Sequence, residues 1–252
     1  MARSPVVRAM VLLFVSLGLL GGAGEARLTP EATPAAGGVT LFPPDGLVYG
    51  AMHSEWSARH WQWTASFPVP INPGHDVTGS TCGYGQSGPV FFIPRNFPPC
   101  TVPAGLALYI PIAGTECSTV EPPPYFGRDE AALRSCAAAE VDRYTGIVVR
   151  VDGQDLPDIE AYRASSPLFT LALPENNVLG VPAGVSQAVA DGYQMILAPL
   201  SAGEHEIMAH VELTDGTVLP DKVLQITVVS PTVVNPGATP EFSTPEATPV
   251  AS

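Results

Sequence analysis

The feature that most constrains this chain is the run from Asp191 to Val229, which reads as strand, turn, strand, turn, strand. Across residues 204–213, alternation puts His205, Ile207, Ala209, Val211 and Leu213 on one face and Glu204, Glu206, Met208, His210 and Glu212 on the other. A period of two with one apolar face is an antiparallel strand half-buried against a core. Asp215-Gly216 beside it is a strong hairpin signal, because both residue types tolerate positive φ. Val90–Ile93, Leu106–Ile112, Gly146–Val151 and Pro167–Leu173 read as further strands, and Asp152-Gly153 as another hairpin turn. The tetrad Val102–Gly105, repeated at Val181–Gly184, reads as a turn that launches an extended segment. About seven strands against two helices favour a mainly β chain: an antiparallel β-sandwich, immunoglobulin-like or jelly-roll-like, with two short helical insertions and disordered termini.

The helices are expected at residues 53–65, with Ser54 as cap, and at residues 129–144, capped by Asp129. In the first, His53, Trp56, His60 and Trp63 share a stripe at helical spacing beside Met52 and Thr64, Trp61 points elsewhere, and Glu55 can pair with Arg59. In the second, Leu133, Cys136 or Ala137, Val141 and Tyr144 share a face.

The ends bound where such a chain works. Arg3 and Arg8 precede an uncharged stretch from Ala9 to Leu20 and small residues up to Ala26, the pattern of a secretory signal peptide over residues 1–26. The stretch falls short of the roughly 20 apolar residues of a membrane span. Residues 27–40 read as a Pro/Thr-rich linker and residues 231–252 as a disordered tail. The phrase Thr29–Pro34 returns as Thr244–Pro249, a composition that cannot build a core. No hydrophobic anchor follows Ser230, so a secreted, extracellular protein without stable membrane insertion is expected. Between the tails, residues 41–230 make a single domain large enough for a real core.

The net charge of −13, with Lys222 the one lysine, repels phosphate backbones and anionic headgroups and argues against nucleic acid as a partner. Four cysteines, Cys82, Cys100, Cys117 and Cys136, read as two disulfides in an exported chain. Three connectivities exist; pairing Cys82 with Cys100 and Cys117 with Cys136 is expected because each bond then staples one irregular stretch. A zinc site would want C-x2-C spacing, which does not occur.

Signatures of chemistry are sparse. His205-Glu206 with His210 has a spacing of five where a zinc protease helix needs four, and on a strand that spacing sends the rings to opposite faces. His205 is expected instead as a hydrogen-bonded histidine at the hairpin mouth. Ser87 lies in a glycine loop without a G-x-S-x-G elbow, and Asp152, Asp155 and Asp158 lack the glycine and glutamate of a calcium loop. No dinucleotide or phosphate-binding fingerprint is present, and neither a cofactor nor a metal is expected. The candidate binding residues are Trp56, His60, Trp61 and Trp63 on the helix, and His75 and Asp76 on the long loop that follows it.

Several phrases carry a likeness: Glu55-Trp56-Ser-Ala-Arg59 with Trp61 and Trp63, Gly88-Pro-Val-Phe-Phe92, Cys100-Thr-Val-Pro-Ala-Gly105, Ser166-Pro-Leu-Phe169, Leu173-Pro-Glu-Asn-Asn177, Asp191-Gly-Tyr193 and Pro199-Leu-Ser-Ala-Gly-Glu-His-Glu-Ile207. In these the chain resembles a group of uncharacterised exported bacterial proteins, over nearly the whole domain. The likeness implies no activity, and His60 stands where the group has tryptophan. The closing hairpin also looks like that of extracellular immunoglobulin-like modules. The expected function is that of a secreted noncatalytic β-sandwich binding an extracellular partner or cell-envelope component. The alternatives are a secreted hydrolase, metal-dependent or serine-type, using His53, His60, His75 and Asp76, and a structural matrix protein.

Overall fold

A sheet covered on both faces selects near-continuous apolar strands, whereas a sheet open to water on one face selects alternation. This chain contains one sheet of each kind. The computed structural model describes residues 33–34 and 38–230. Its strands are β1 (Thr33–Pro34), β2 (Thr40–Leu41), β3 (Val90–Phe92), β4 (Cys100–Pro103), β5 (Ala107–Ser118), β6 (Tyr144–Val151), β7 (Gln154–Asp155), β8 (Arg163–Ser165), β9 (Phe169–Leu173), β10 (Gly184–Leu197), β11 (Gly203–Leu213) and β12 (Lys222–Val229). Two α-helices, α1 (His53–Ala65) and α2 (Glu130–Val141), interrupt them.

The first sheet is ordered β1-β2-β10-β5-β3. β9, β8 and β2 pair in turn along the edge of β10 that β5 leaves free. The second is ordered β4-β12-β11-β6-β7. Leu108, Ile110, Ile112, Met195 and Leu197 of the first sheet meet Val149, Val151, Ile207, Ala209, Leu224 and Ile226 of the second in one core. The described residues therefore form a β-sandwich, mainly strand with two α-helices. The opposite face of the first sheet is not open: α1 covers it, with Trp56 and Trp63 on Val90, Phe92, Ala107, Tyr109 and Ile196, and Ala58 and Ala65 on Ala188 and Ala190. α2 packs Leu133 and Ala137 on Cys117 and Val189. Since Val189 alternates with Ala188 and Ala190, the two helices lie on opposite faces of that sheet.

Disulfides join Cys82 to Cys100 and Cys117 to Cys136, across separations of 18 and 19 residues. Loops of that length place each bond's contribution at about 3 kcal/mol. The first ties the loop after α1 to β4, and the second ties α2 to β5.

Several expectations are corrected. α1 begins after Met52, whose N–H donates to the Glu55 carboxylate at 2.8 Å, so Ser54 is inside the helix rather than its cap. Glu55 is thereby engaged at the helix start, and Arg59 stacks 4.4 Å over the Trp56 ring instead of pairing with it. α2 is capped by Asp129, which accepts from the Ala132 N–H at 2.9 Å, but it stops at Val141 and Tyr144 opens β6. Cys100–Pro103 is a strand, and it and β3 pair parallel rather than antiparallel with their neighbours. β4 is an edge strand, where Pro103 lacks no ladder partner. Thr33–Pro34, inside the expected linker, pairs with β2. The expected signal peptide and tail lie outside the described residues.

Gly114 of β5 and Gly192 of β10 stand opposite each other just before a bulge at Ile112. A Cβ on Gly192 would lie 2.6 Å from the Ala113 carbonyl oxygen and 2.8 Å from the Gly114 Cα, both backbone atoms that cannot swing aside. Gly192→Ala is expected to cost roughly 1 to 3 kcal/mol, the range of core overpacking, as a lowered urea midpoint with an unchanged slope. An unchanged midpoint would show that the strands do not meet this closely.

Candidate functional site

The aromatic stripe of α1 is committed to packing. The Trp56 indole N–H donates to the Val48 carbonyl at 2.8 Å and that of Trp63 to the Tyr84 carbonyl at 2.9 Å. His60 is fully buried, its ring 4.8 Å from that of Tyr109 in a stacked arrangement, with Phe92 at 5.6 Å. Its Nε2–H donates to the Ile93 carbonyl at 3.0 Å, while Nδ1 meets no partner among the described residues. Burial, with a smaller contribution from the Arg95 charge, pushes the imidazole down to about 3. His53 is also buried, edge-on to Tyr162 beside the Pro43 carbonyl, and burial holds it below the ordinary value. Seven residues of helix separate the two histidines by roughly 10 Å along the axis, too far to share an ion.

Asp76 is engaged as well. Its carboxylate accepts from the hydroxyls of Thr78, Ser80 and Thr81 and from the N–H groups of Thr78 and Thr81. These bonds, the Thr78 hydroxyl foremost, hold it well below the usual carboxylate range. Asp76 is the organising acceptor of its loop. Among the described residues no three His, Cys, Asp or Glu side chains converge as a metal set.

Of the six candidates, Trp61 and His75 meet, in a cleft of about 280 Å3 on the α1 side of the first sheet. Trp61 reaches it because it lies off the buried stripe of its helix. His75 is brought to the rim by Asn72, whose amide donates to the Thr64 and Phe67 carbonyls and whose side-chain oxygen accepts from the Gly74 N–H. The rest of the lining was not singled out from sequence: Thr64, Arg95, Glu116, Glu121 and Tyr125 supply polar groups, and Val178 and Leu179 an apolar wall.

Arg95 follows the end of β3. Its guanidinium donates to the Gly114 carbonyl and lies 4.3 Å over the Trp61 ring. Behind it, the Lys222 amine donates to the Arg95 and Ile112 carbonyls at 3.3 Å each, tying the second sheet to the arginine's backbone. Burial and the Arg95 charge bring that lysine down to about 8. Glu116, on β5, is 4 % exposed, and its Oε2 meets no donor among the described residues. Burial, and then the neighbouring Glu121 carboxyl, push Glu116 above the usual carboxylate range, and burial raises Glu121 as well. The burial of Glu116 and the charge of the neighbouring Glu121 both favour the neutral form of the Glu116 carboxyl. Ser118 holds Glu121 in place, its hydroxyl donating at 2.8 Å. Thr64 is 5 % exposed and its hydroxyl, too, has no partner among the described residues.

A second groove, of about 460 Å3, runs between α1 and residues 85–89 over the edges of Trp56, Trp63, Phe67 and Phe92. Elsewhere, His205 bonds Asp152 at 2.8 Å and the Ser201 carbonyl at 2.9 Å at the mouth of its hairpin, while His210, on the other face, bonds Asp221 at 2.7 Å.

No protein-family model, curated protein or solved structure matches the chain.

Proposed function

We propose that this is a secreted, noncatalytic β-sandwich protein that binds a component of the extracellular space or cell envelope through the cleft between α1, β5 and the loop of His75. The observation that carries the reading is the concentration in one cleft of polar groups without protein partners, Thr64 and Glu116, beside a half-buried tryptophan stacked on an arginine. Buried polar groups normally find partners, and a recess that leaves two unmet is shaped for something other than its own chain. Two disulfides fit an oxidising compartment. No helix among the described residues is long and apolar enough to cross a membrane.

Binding is favoured over hydrolysis by the dispersal of the candidate catalytic groups. The four residues of the alternative hydrolase do not share a site: His53 and His60 are buried on α1, Asp76 organises its loop, and only His75 reaches the cleft.

The test is a titration of the full chain with solubilised cell-envelope fragments, followed by tryptophan emission. A saturable shift is expected in the wild type, with at least a tenfold loss of affinity in Trp61→Ala. Equal titration of both proteins would remove the cleft as the site.

A further inference from the structure

The cleft has a composition that narrows its ligand, and the inference rests on the binding reading above. Glu116 is buried, leaves Oε2 unbonded and has no ion-pair partner among the described residues, so its carboxyl is held neutral; Glu121 then carries the one negative charge of the pair, which the Arg95 guanidinium balances. A ligand of net charge would leave that balance broken beside the buried Glu116 carboxyl, where an uncompensated charge is costly. The polar groups are mixed: N–H donors on Arg95, acceptor oxygens on the carboxyl pair, and a Thr64 hydroxyl that does both. A ligand whose own groups each donate and accept satisfies such a set without a fixed polarity. Between these groups stand the Trp61 and Tyr125 rings and the side chains of Val178 and Leu179, surfaces for a ligand with an apolar face as well as a hydroxylated edge. The volume, about 280 Å3, lies at the small end of ligand pockets, roughly 300 to 1,000 Å3, and suits one ring rather than a chain.

We infer that the cleft takes a single neutral sugar ring, a terminal or repeating unit of an extracellular glycan, with its C–H face against the aromatic wall and its hydroxyls on Thr64, Arg95 and the Glu116–Glu121 pair. A free zwitterion such as an amino acid is the competing small ligand. It is disfavoured because its two charged groups leave the Thr64 hydroxyl and the apolar wall of the cleft without partners.

The experiment uses the full chain and three probes: a panel of methyl glycosides and N-acetylated hexosamines, a panel of free amino acids, and the solubilised envelope fragments used above. Binding is read by saturation-transfer NMR and tryptophan emission on the wild type, Trp61→Ala, Thr64→Val and the distal control Val185→Thr. Because the Thr64 hydroxyl has no protein partner, Thr64→Val should keep or raise the melting temperature, so a binding defect there cannot be blamed on folding. The expected result is saturable binding of at least one glycoside, weakened about tenfold by Thr64→Val and more by Trp61→Ala, and unchanged in Val185→Thr. Loss of one good hydrogen bond is worth about that factor. Amino-acid binding in place of sugar overturns the sugar assignment. So does the absence of any glycoside binding while fragments still require Trp61, though the cleft reading then stands. Fragment binding untouched by either cleft variant overturns both.

Discussion

Between pH 7 and pH 4 the folded protein is expected to lose about 3 kcal/mol of stability through His60 alone. The folded imidazole, enclosed by Trp63, Phe92 and Tyr109, stays neutral until about pH 3, whereas in the unfolded chain it takes up a proton near 6.5. Its folded pKa is depressed, so the unfolded state binds the extra proton throughout that window, and stability falls as pH drops from 6.5 toward 3. His53, also buried and depressed by burial, acts in the same direction. His60→Phe keeps the ring packing and gives up the hydrogen bond to the Ile93 carbonyl, a loss of about 1 kcal/mol at neutral pH. Urea unfolding at pH 7 and pH 4 should show the variant slightly weaker than wild type at the first and stronger at the second. Parallel pH profiles would mean that His60 is not enclosed as described.

The second large effect has the opposite sign and comes from the cleft. Glu116 stays protonated when folded, above the usual carboxylate range, while in the unfolded chain it ionises near 4.5. Stability linked to it is present below the unfolded value and is lost as pH rises toward the raised folded value. Glu116→Gln removes that loss: the amide is nearly isosteric with the neutral carboxyl and cannot ionise. At pH 8 the variant is expected to be more stable by a few kcal/mol, a rise of roughly 10 °C in melting temperature, with little difference at pH 4.5. A polar-to-polar change in a cleft that stabilises the fold marks a site whose residue serves something other than stability. A variant less stable than wild type at pH 8 would show that Glu116 is ionised and paired in the fold.

The fold was legible where one period dominated. The apolar residues of β11 at 207, 209, 211 and 213 are all buried, as their alternation requires, because that strand has water on its other face. Asp152-Gly153 turns the β6–β7 hairpin with both residues at positive φ. The lengths of β5 and β10 were not legible, since strands buried on both faces lose their alternation. The stretch from Ala113 to Ser118 also mixes glycine, glutamate and threonine, which read as loop. β4 was hidden by its proline, which an edge position tolerates.

The cleft was half legible. Trp61 stood out by being off the stripe, and His75 by lying in a long loop. Arg95 comes from one stretch and the Glu116–Glu121 pair from another, and nothing local marks them as neighbours. The one available signal was that Glu116 directly precedes Cys117, a cysteine expected in a disulfide.

Backbone hydrogen exchange on the full chain, with and without saturating solubilised envelope fragments, tests the central claim most directly. The cleft account predicts slowed exchange at residues 61–75, around Arg95, at residues 114–125 and at 178–179, with the β11–β12 hairpin unchanged. Protection confined to the second sheet or to its β4 and β7 edges, with none around Trp61 and Glu116, would contradict it.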